Sequence, residues 1–127
     1  MTADELAALV VQAFTGDPDD LVDDAFADDA VLVEPGEPAV EGPEAIRAWF
    51  SAYGGRREVA RVDDVLLAAD RGALSYAVWF RADAHAYGQH GRVLLTLDGP
   101  HEAGGRITRW DGVWTEVPSD LTPWGGD

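Results

Sequence analysis

Glu34 is the residue whose neighbours give it the most chemical scope. It follows a short apolar run, Val31-Leu32-Val33, and precedes Pro35-Gly36, so it stands where a strand gives way to a turn. The chain then returns through Ala39 and Val40 into a segment whose apolar residues Ile46, Trp49, Phe50 and Tyr53 recur at helical spacing. A carboxylate at a strand end, beside an aromatic helix face, can be enclosed in a dry cavity. Burial there disfavours the charged form, raises the pKa and makes the group a usable general base, able to draw a proton from carbon or to activate water. The competing expectation is an exposed turn carboxylate, or one paired with Arg81 or Arg109.

Tyr76 comes next. Within Ala73 to Ala82, Tyr76, Val78 and Phe80 fall on one face of a strand and Trp79 and Arg81 on the other. On the inner face Tyr76 would be a pocket hydroxyl, and on the outer face Trp79 would be an apolar residue that invites a partner. His85 and His90 flank the segment from Asp83 to Gly91, which reads as a loop. Their spacing of five does not suit a helical metal pair, and His101 completes no motif, so no metal is expected. No phosphate-binding glycine loop, dinucleotide fingerprint, nucleophile elbow or calcium-loop spacing occurs, and no cofactor is expected. Five tryptophans, at 49, 79, 110, 114 and 124, suit either a flat apolar ligand or a curved core.

These residues need elements to hold them. Thr2 and Glu5 have capping-box spacing and open a helix whose face is Leu6, Leu9, Val10, Ala13 and Phe14, closed by Gly16. Asp17-Pro18 restarts a short helix carrying Leu21, Val22 and Phe26. A strand over about Ala30 to Glu34, the Pro35–Pro38 turn and a short return strand precede a third helix, opened by Gly42-Pro43 and closed by Gly54-Gly55. Strands are expected over Arg57 to Ala69, with a phase slip at Asp63-Asp64 that signals a bulge. Further strands follow over Ala73 to Ala82, Arg92 to Leu97 and Arg106 to Val117. Asp70-Arg71-Gly72 reads as a tight turn. Helices and a small hairpin first, then an antiparallel meander, make an α+β arrangement with one curved sheet covering the helices. The whole chain, 1–127, reads as one domain, with 118–127 as a Pro/Gly-rich tail.

The 127 residues suffice for a real core. With 24 acidic and nine basic residues, all arginine, the net charge is −15. Such a surface repels phosphate backbones and anionic lipid, which argues against nucleic-acid and membrane partners. No apolar run approaches the roughly 20 residues of a membrane helix. No basic segment leads into an apolar one as in a signal peptide, so a cytoplasmic location is expected. Cysteine is absent, which excludes disulfides, thiolate metal sites and a thiol nucleophile.

Three stretches, GDPDDLVDDAFADDAVLVEP (16–35), VEGPEAIRAWF (40–50) and GRITRWDGVW (105–114), resemble the nuclear transport factor 2-like superfamily, in its SnoaL-like and ketosteroid-isomerase-like branch. The resemblance spans nearly the whole chain. It implies a cone-shaped α+β barrel, a curved antiparallel sheet wrapped around N-terminal helices, with an apolar pocket at the open end. It also implies a homodimer through the outer sheet face. Glu34 falls where ketosteroid-isomerase-like enzymes carry a general-base Asp. The family's oxyanion donors, a helix-one Tyr and a strand Asp, fall on Leu9 and about Val93, and a supporting Tyr falls on Phe50. With those donors missing, steroid isomerisation by that route is not expected. SnoaL-like cyclases pair a strand His with a carboxylate, a role open here to His90, with Tyr76 as the other candidate donor. Trp49, Tyr53 and Trp110 are the expected aromatic wall, with Leu9, Phe14, Phe50 and Val93 as further substrate contacts.

The function so implied is cofactor-free acid/base catalysis (isomerisation, cyclisation or hydration) on a hydrophobic, oxygenated small molecule. Two alternatives stand beside it. One is a non-catalytic module that binds a small molecule or a protein. The other is an epoxide hydrolase, for which Arg81, Arg109 and Asp111 supply the residue types.

Overall fold

The computed structural model describes the backbone of residues 1–54, 57–82 and 85–117, and the side chains of 1–52, 59–79 and 88–116. Helix α1 runs Ala3–Phe14 and starts as its capping box demands, with the Thr2 hydroxyl accepting from the Glu5 amide at 3.1 Å. Helix α2, Asp19–Ala25, begins one residue later than Asp17-Pro18 suggests. Pro18 is its cap residue, and the Asp17 carboxylate accepts from the Asp19 amide. Strand β1, Phe26–Val33, follows without a loop and starts four residues before the expected Ala30. Strand β2 is only Val40–Glu41, and helix α3 is Pro43–Gly54.

Strands β3 (Arg57–Ala68), β4 (Arg71–Ala82), β5 (His85–Leu97) and β6 (Ile107–Val117) form the antiparallel meander. The Asp63-Asp64 phase slip is a register shift between Val62 and Asp64 in the β3–β4 ladder. A larger correction falls on β5, which begins at His85 where Asp83–Gly91 read as a loop. Gly88, Gln89 and Gly91 have poor strand propensity, and pairing with both β4 and β6 overrides it.

The six strands form one sheet in the order β2-β1-β6-β5-β4-β3. It is mixed rather than wholly antiparallel, because β1 lies parallel to β6, with Leu32 opposite Trp110 and Val33 opposite Asp111. With β2 and β3 at its edges, the curved sheet stays open. Its inner face buries Leu32, Leu74, Tyr76, Val78, Val93, Leu95 and Trp110 against Leu6, Val10, Ala13 and Phe14 of α1 and Ile46 and Phe50 of α3. Arg47 of α3 reaches Asp19 and Asp23 of α2, which locks the two helices over the sheet. Among the described residues no helix is long and apolar enough to cross a membrane.

Candidate functional site

Glu34 sits directly after β1, at the first position of a turn. Its carbonyl accepts from the Glu37 amide at 3.3 Å, and Gly36 supplies φ 74°. Pro then Gly at the two central positions is what a type II turn requires. The turn is held from outside as well, since the Trp49 indole N–H donates to the Glu37 carboxylate at 3.2 Å. Strand alternation carries the Glu34 side chain inward, in phase with Leu32.

There the carboxylate is 4% exposed, the one buried charged side chain among the described residues. Trp110, itself fully buried, donates its indole N–H to Glu34 Oε1 at 3.2 Å. The expected solvent-facing or Arg109-paired carboxylate is therefore not what forms. Arg109 pairs with Asp111 instead, Nε to Oδ2 at 2.8 Å, and beyond the register shift after Ile107 the two flank Trp110 and point to the opposite face. That pairing also takes Arg109 and Asp111 out of any interior epoxide-opening set, and the Arg81 side chain lies outside the described residues.

Two inner-face glycines shape the site. A Cβ on Gly112 would stand 2.7 Å from Glu34 Cδ and 2.8 Å from Oε2. A Cβ on Gly91 would stand 2.5 Å from the Tyr76 hydroxyl and closer still to its ring. Gly91 pairs with Trp114 and Gly112 with Val93, so the two glycines are diagonal neighbours on one face, about 7–8 Å apart. The Tyr76 phenol and the Glu34 carboxylate thus lie over adjoining bare patches of backbone.

Aromatic rings pack against one another between sheet and helices. Phe50 meets Trp110 edge to face at 5.7 Å, Phe14 meets Phe50 at 5.2 Å, and Tyr76 lies 4.5 Å from Phe14. Trp49 packs against Phe50 at 4.9 Å. Such contacts hold Trp110 in one orientation and so aim its N–H. Trp110, expected in an aromatic wall, lies on the inner face and donates to the carboxylate, which its type alone did not reveal. Phe14, Phe50 and Val93 are buried on the inner side. Leu9 instead faces a surface cleft with Met1, Glu5, Gly104 and Gly105. The Tyr53 and His85 side chains and the 118–127 tail lie outside the described residues.

His90 does not join Glu34. It pairs with Ala77, the neighbour of Tyr76, which places it on the outer face. There its Nε2 lies 3.6 Å from Asp63, which also takes Arg61, and Arg61 stacks over Trp79 at 5.2 Å. Reading the segment before Arg92 as a loop left the phase of His90 undetermined. No group of three or more His, Cys, Asp or Glu among the described residues is placed to hold a metal.

Chemically, the site offers a shielded carboxylate that accepts from the fixed Trp110 N–H, a phenol on the adjoining patch, and aromatic faces around them. Solved structures of similar shape come from several sources. A Catenulispora acidiphila protein with a ketosteroid isomerase-like fold, solved in complex with trimethylamine, superposes with a TM-score of 0.70 at 20% identity, covering 96% of this chain and 100% of that one. A Mesorhizobium loti protein provisionally described as a SnoaL-like polyketide cyclase gives 0.65 at 22% identity, over 88% and 98%. A protein designated Rd1NTF2_04 with long sheet gives 0.67 at 15% identity, over 87% and 99%. These likenesses establish a shared fold. No curated protein matches the chain significantly. The family model of the SnoaL-like domain matches residues 7–115, from within α1 to within β6, and the chain belongs to that family.

Proposed function

We propose that the protein is a cofactor-free acid/base catalyst in which Glu34 moves a proton on a hydrophobic, carbonyl-bearing small molecule. The observation that carries this reading is the buried Glu34 carboxylate under the Trp110 N–H. A carboxylate removed from bulk water is poorly solvated, which favours it as a base toward a carbon acid. In the step envisaged, a C–H proton next to the carbonyl passes to Glu34, and the C–H electron pair moves into the carbonyl to form an enolate. The Tyr76 hydroxyl donates a hydrogen bond to the enolate oxygen, and Glu34 returns the proton to carbon. In a ketone with a C=C between its β and γ carbons, return of the proton to the γ carbon is isomerisation; where the enolate instead attacks a second carbonyl of the same molecule, the ring closes and the resulting alkoxide takes the proton back from Glu34.

Deuterium exchange tests this without knowledge of the natural substrate. β-Tetralone and other apolar ketones are incubated with the protein in deuterium oxide, and loss of the proton signal next to the carbonyl is followed by NMR. Exchange about a hundredfold above buffer, abolished in Glu34→Gln, is the expected result. Exchange no faster than buffer across the panel, or Glu34→Gln as fast as the parent, refutes the assignment.

A second reading is binding without turnover. A buried carboxylate ringed by aromatic faces also suits an alkylammonium ion, and the Catenulispora relative was solved with trimethylamine. Titration with trimethylammonium chloride separates the two readings. Saturable binding lost in Glu34→Gln, without ketone exchange, favours a binding module.

We also propose a homodimer through the outer sheet face. Leu66, Leu94 and Val113 are 69%, 67% and 60% exposed there, around a groove of about 590 Å³ that also carries Asp64, Arg92 and Asp111. Charges of both signs beside exposed leucines suit a self-complementary contact. Sedimentation of the parent at twice the chain mass, and of Leu94→Glu at the single mass, is expected. A monomeric parent rules the dimer out.

A further inference from the structure

We infer that Gly112 is a positioning residue for Glu34: its missing side chain makes the recess that lets a glutamate, rather than the shorter aspartate, set its carboxylate under Trp110. The consequence for turnover rests on the reading of Glu34 as the base, whereas the geometric claim does not.

Glycine is used in strands either for its backbone freedom or for close approach of another group. Backbone freedom is not needed at 112. The residues with positive φ among the glycines are 16, 36, 42 and 104, and Gly112 is none of these. It sits in regular pairing opposite Val93, where any residue could stand. Gly36 is the converse case, with φ 74° and nothing within 4 Å of an added Cβ. At 112 the whole requirement is space, and the group that occupies the space is the Glu34 carboxylate.

That carboxylate has little room to yield. Trp110 holds Oε1 from one side, and Phe50 and Phe26 hold the Trp110 ring. The backbone of Glu34 is tied by the turn to Glu37. A methyl group on residue 112 therefore displaces the carboxylate from its donor. Shortening residue 34 by one methylene withdraws the carboxylate by roughly 1.5 Å, which relieves the collision. Glu at 34 and Gly at 112 are in this sense one choice of size, as are Asp and Ala.

The test compares the parent, Gly112→Ala, Glu34→Asp and the double variant. Two quantities are read: the carboxyl titration of residue 34 by carbon NMR, and the exchange rate of β-tetralone. Gly112→Ala is expected to shift the titration and slow exchange about ten- to a hundredfold. The double variant is expected to exchange faster than Gly112→Ala and to titrate as Glu34→Asp does. An unchanged titration in Gly112→Ala, or a double variant no better than the summed single effects, overturns the inference. Should Gly112→Ala fail to fold, Glu34→Ala with Gly112→Ala decides. A folded double variant places the collision at the carboxylate, and an unfolded one refutes it. If Glu34→Gln exchanges ketone as fast as the parent, the base assignment falls, while the titrations still judge Gly112.

Discussion

Replacing Trp110 by Phe removes one N–H and keeps an aromatic ring against Phe50 and Phe26. The deleted bond is 3.2 Å long, with a fully buried donor and an acceptor 4% exposed, so water cannot replace it freely. A hydrogen bond to a charged group contributes about 1.5–3 kcal/mol, and the smaller ring adds roughly 1 kcal/mol of lost packing. The total, about 2.5–4 kcal/mol, corresponds to a fall in Tm of roughly 8–16 °C for a domain of this length. Urea unfolding followed by far-UV circular dichroism measures it. The packing part is separated by repeating the change beside Glu34→Met, where no acceptor remains and Trp110→Phe should cost only about 1 kcal/mol. The coupling between positions 34 and 110 is then about 1.5–3 kcal/mol. Lowering the pH until Glu34 takes up its proton should reduce that coupling to the value of a neutral bond, about 1 kcal/mol. Additivity of the two changes to within about 0.5 kcal/mol at neutral pH refutes the claim that Trp110 holds the carboxylate.

Phe50→Ala empties the centre of the aromatic cluster and is expected to cost about 3–5 kcal/mol, read in the same unfolding assay. Donating hydrogen bonds to the Asp23 and Asp19 carboxylates holds the Arg47 guanidinium pKa above its already high ordinary value. A raised pKa means that its contribution is complete below the ordinary arginine value and is lost only as pH rises beyond it. The stability difference between the parent and Arg47→Met should therefore be flat from about pH 6 to about pH 10 and should shrink with added salt. Ala69, in the β3–β4 turn at φ 54°, is the described non-glycine residue with positive φ. Ala69→Asn should raise stability by about 0.5–1 kcal/mol, because Asn tolerates that conformation better.

The local signals in the sequence were strong where one residue type has one physical use. Thr2 and Glu5 marked the first helix start, Pro35-Gly36 marked the turn, and the broken alternation at Asp63-Asp64 marked the bulge. Glu34 could be singled out because the turn and the apolar run both bear on it directly. What escaped depends on pairing between distant strands. His90 lies on the outer face of the sheet because β5 begins at His85, and only two-sided pairing makes a strand of Gly88 to Gly91. The Trp110 N–H reaches Glu34 from 76 positions away, across a parallel contact that no local pattern encodes. Gly112 carried a readable hint, since a glycine inside an alternating strand signals close approach by another group, but the sequence did not say which group.

The parallel contact between β1 and β6 also bears on the order in which the molecule assembles. The turn that carries Glu34 and the Trp49 contact that holds it lie within the first 49 residues, whereas the Trp110 donor and the Gly112 recess lie on the last strand. A nascent chain can form α1, α2 and the first hairpin early, yet Glu34 stays hydrated until β3, β4 and β5 have paired and β6 has docked beside β1. Contacts of such sequence separation form late and slowly. The burial of the carboxylate therefore coincides with completion of the sheet, and a chain that stalls before β6 docks exposes both the β1 edge and the apolar inner face to other chains.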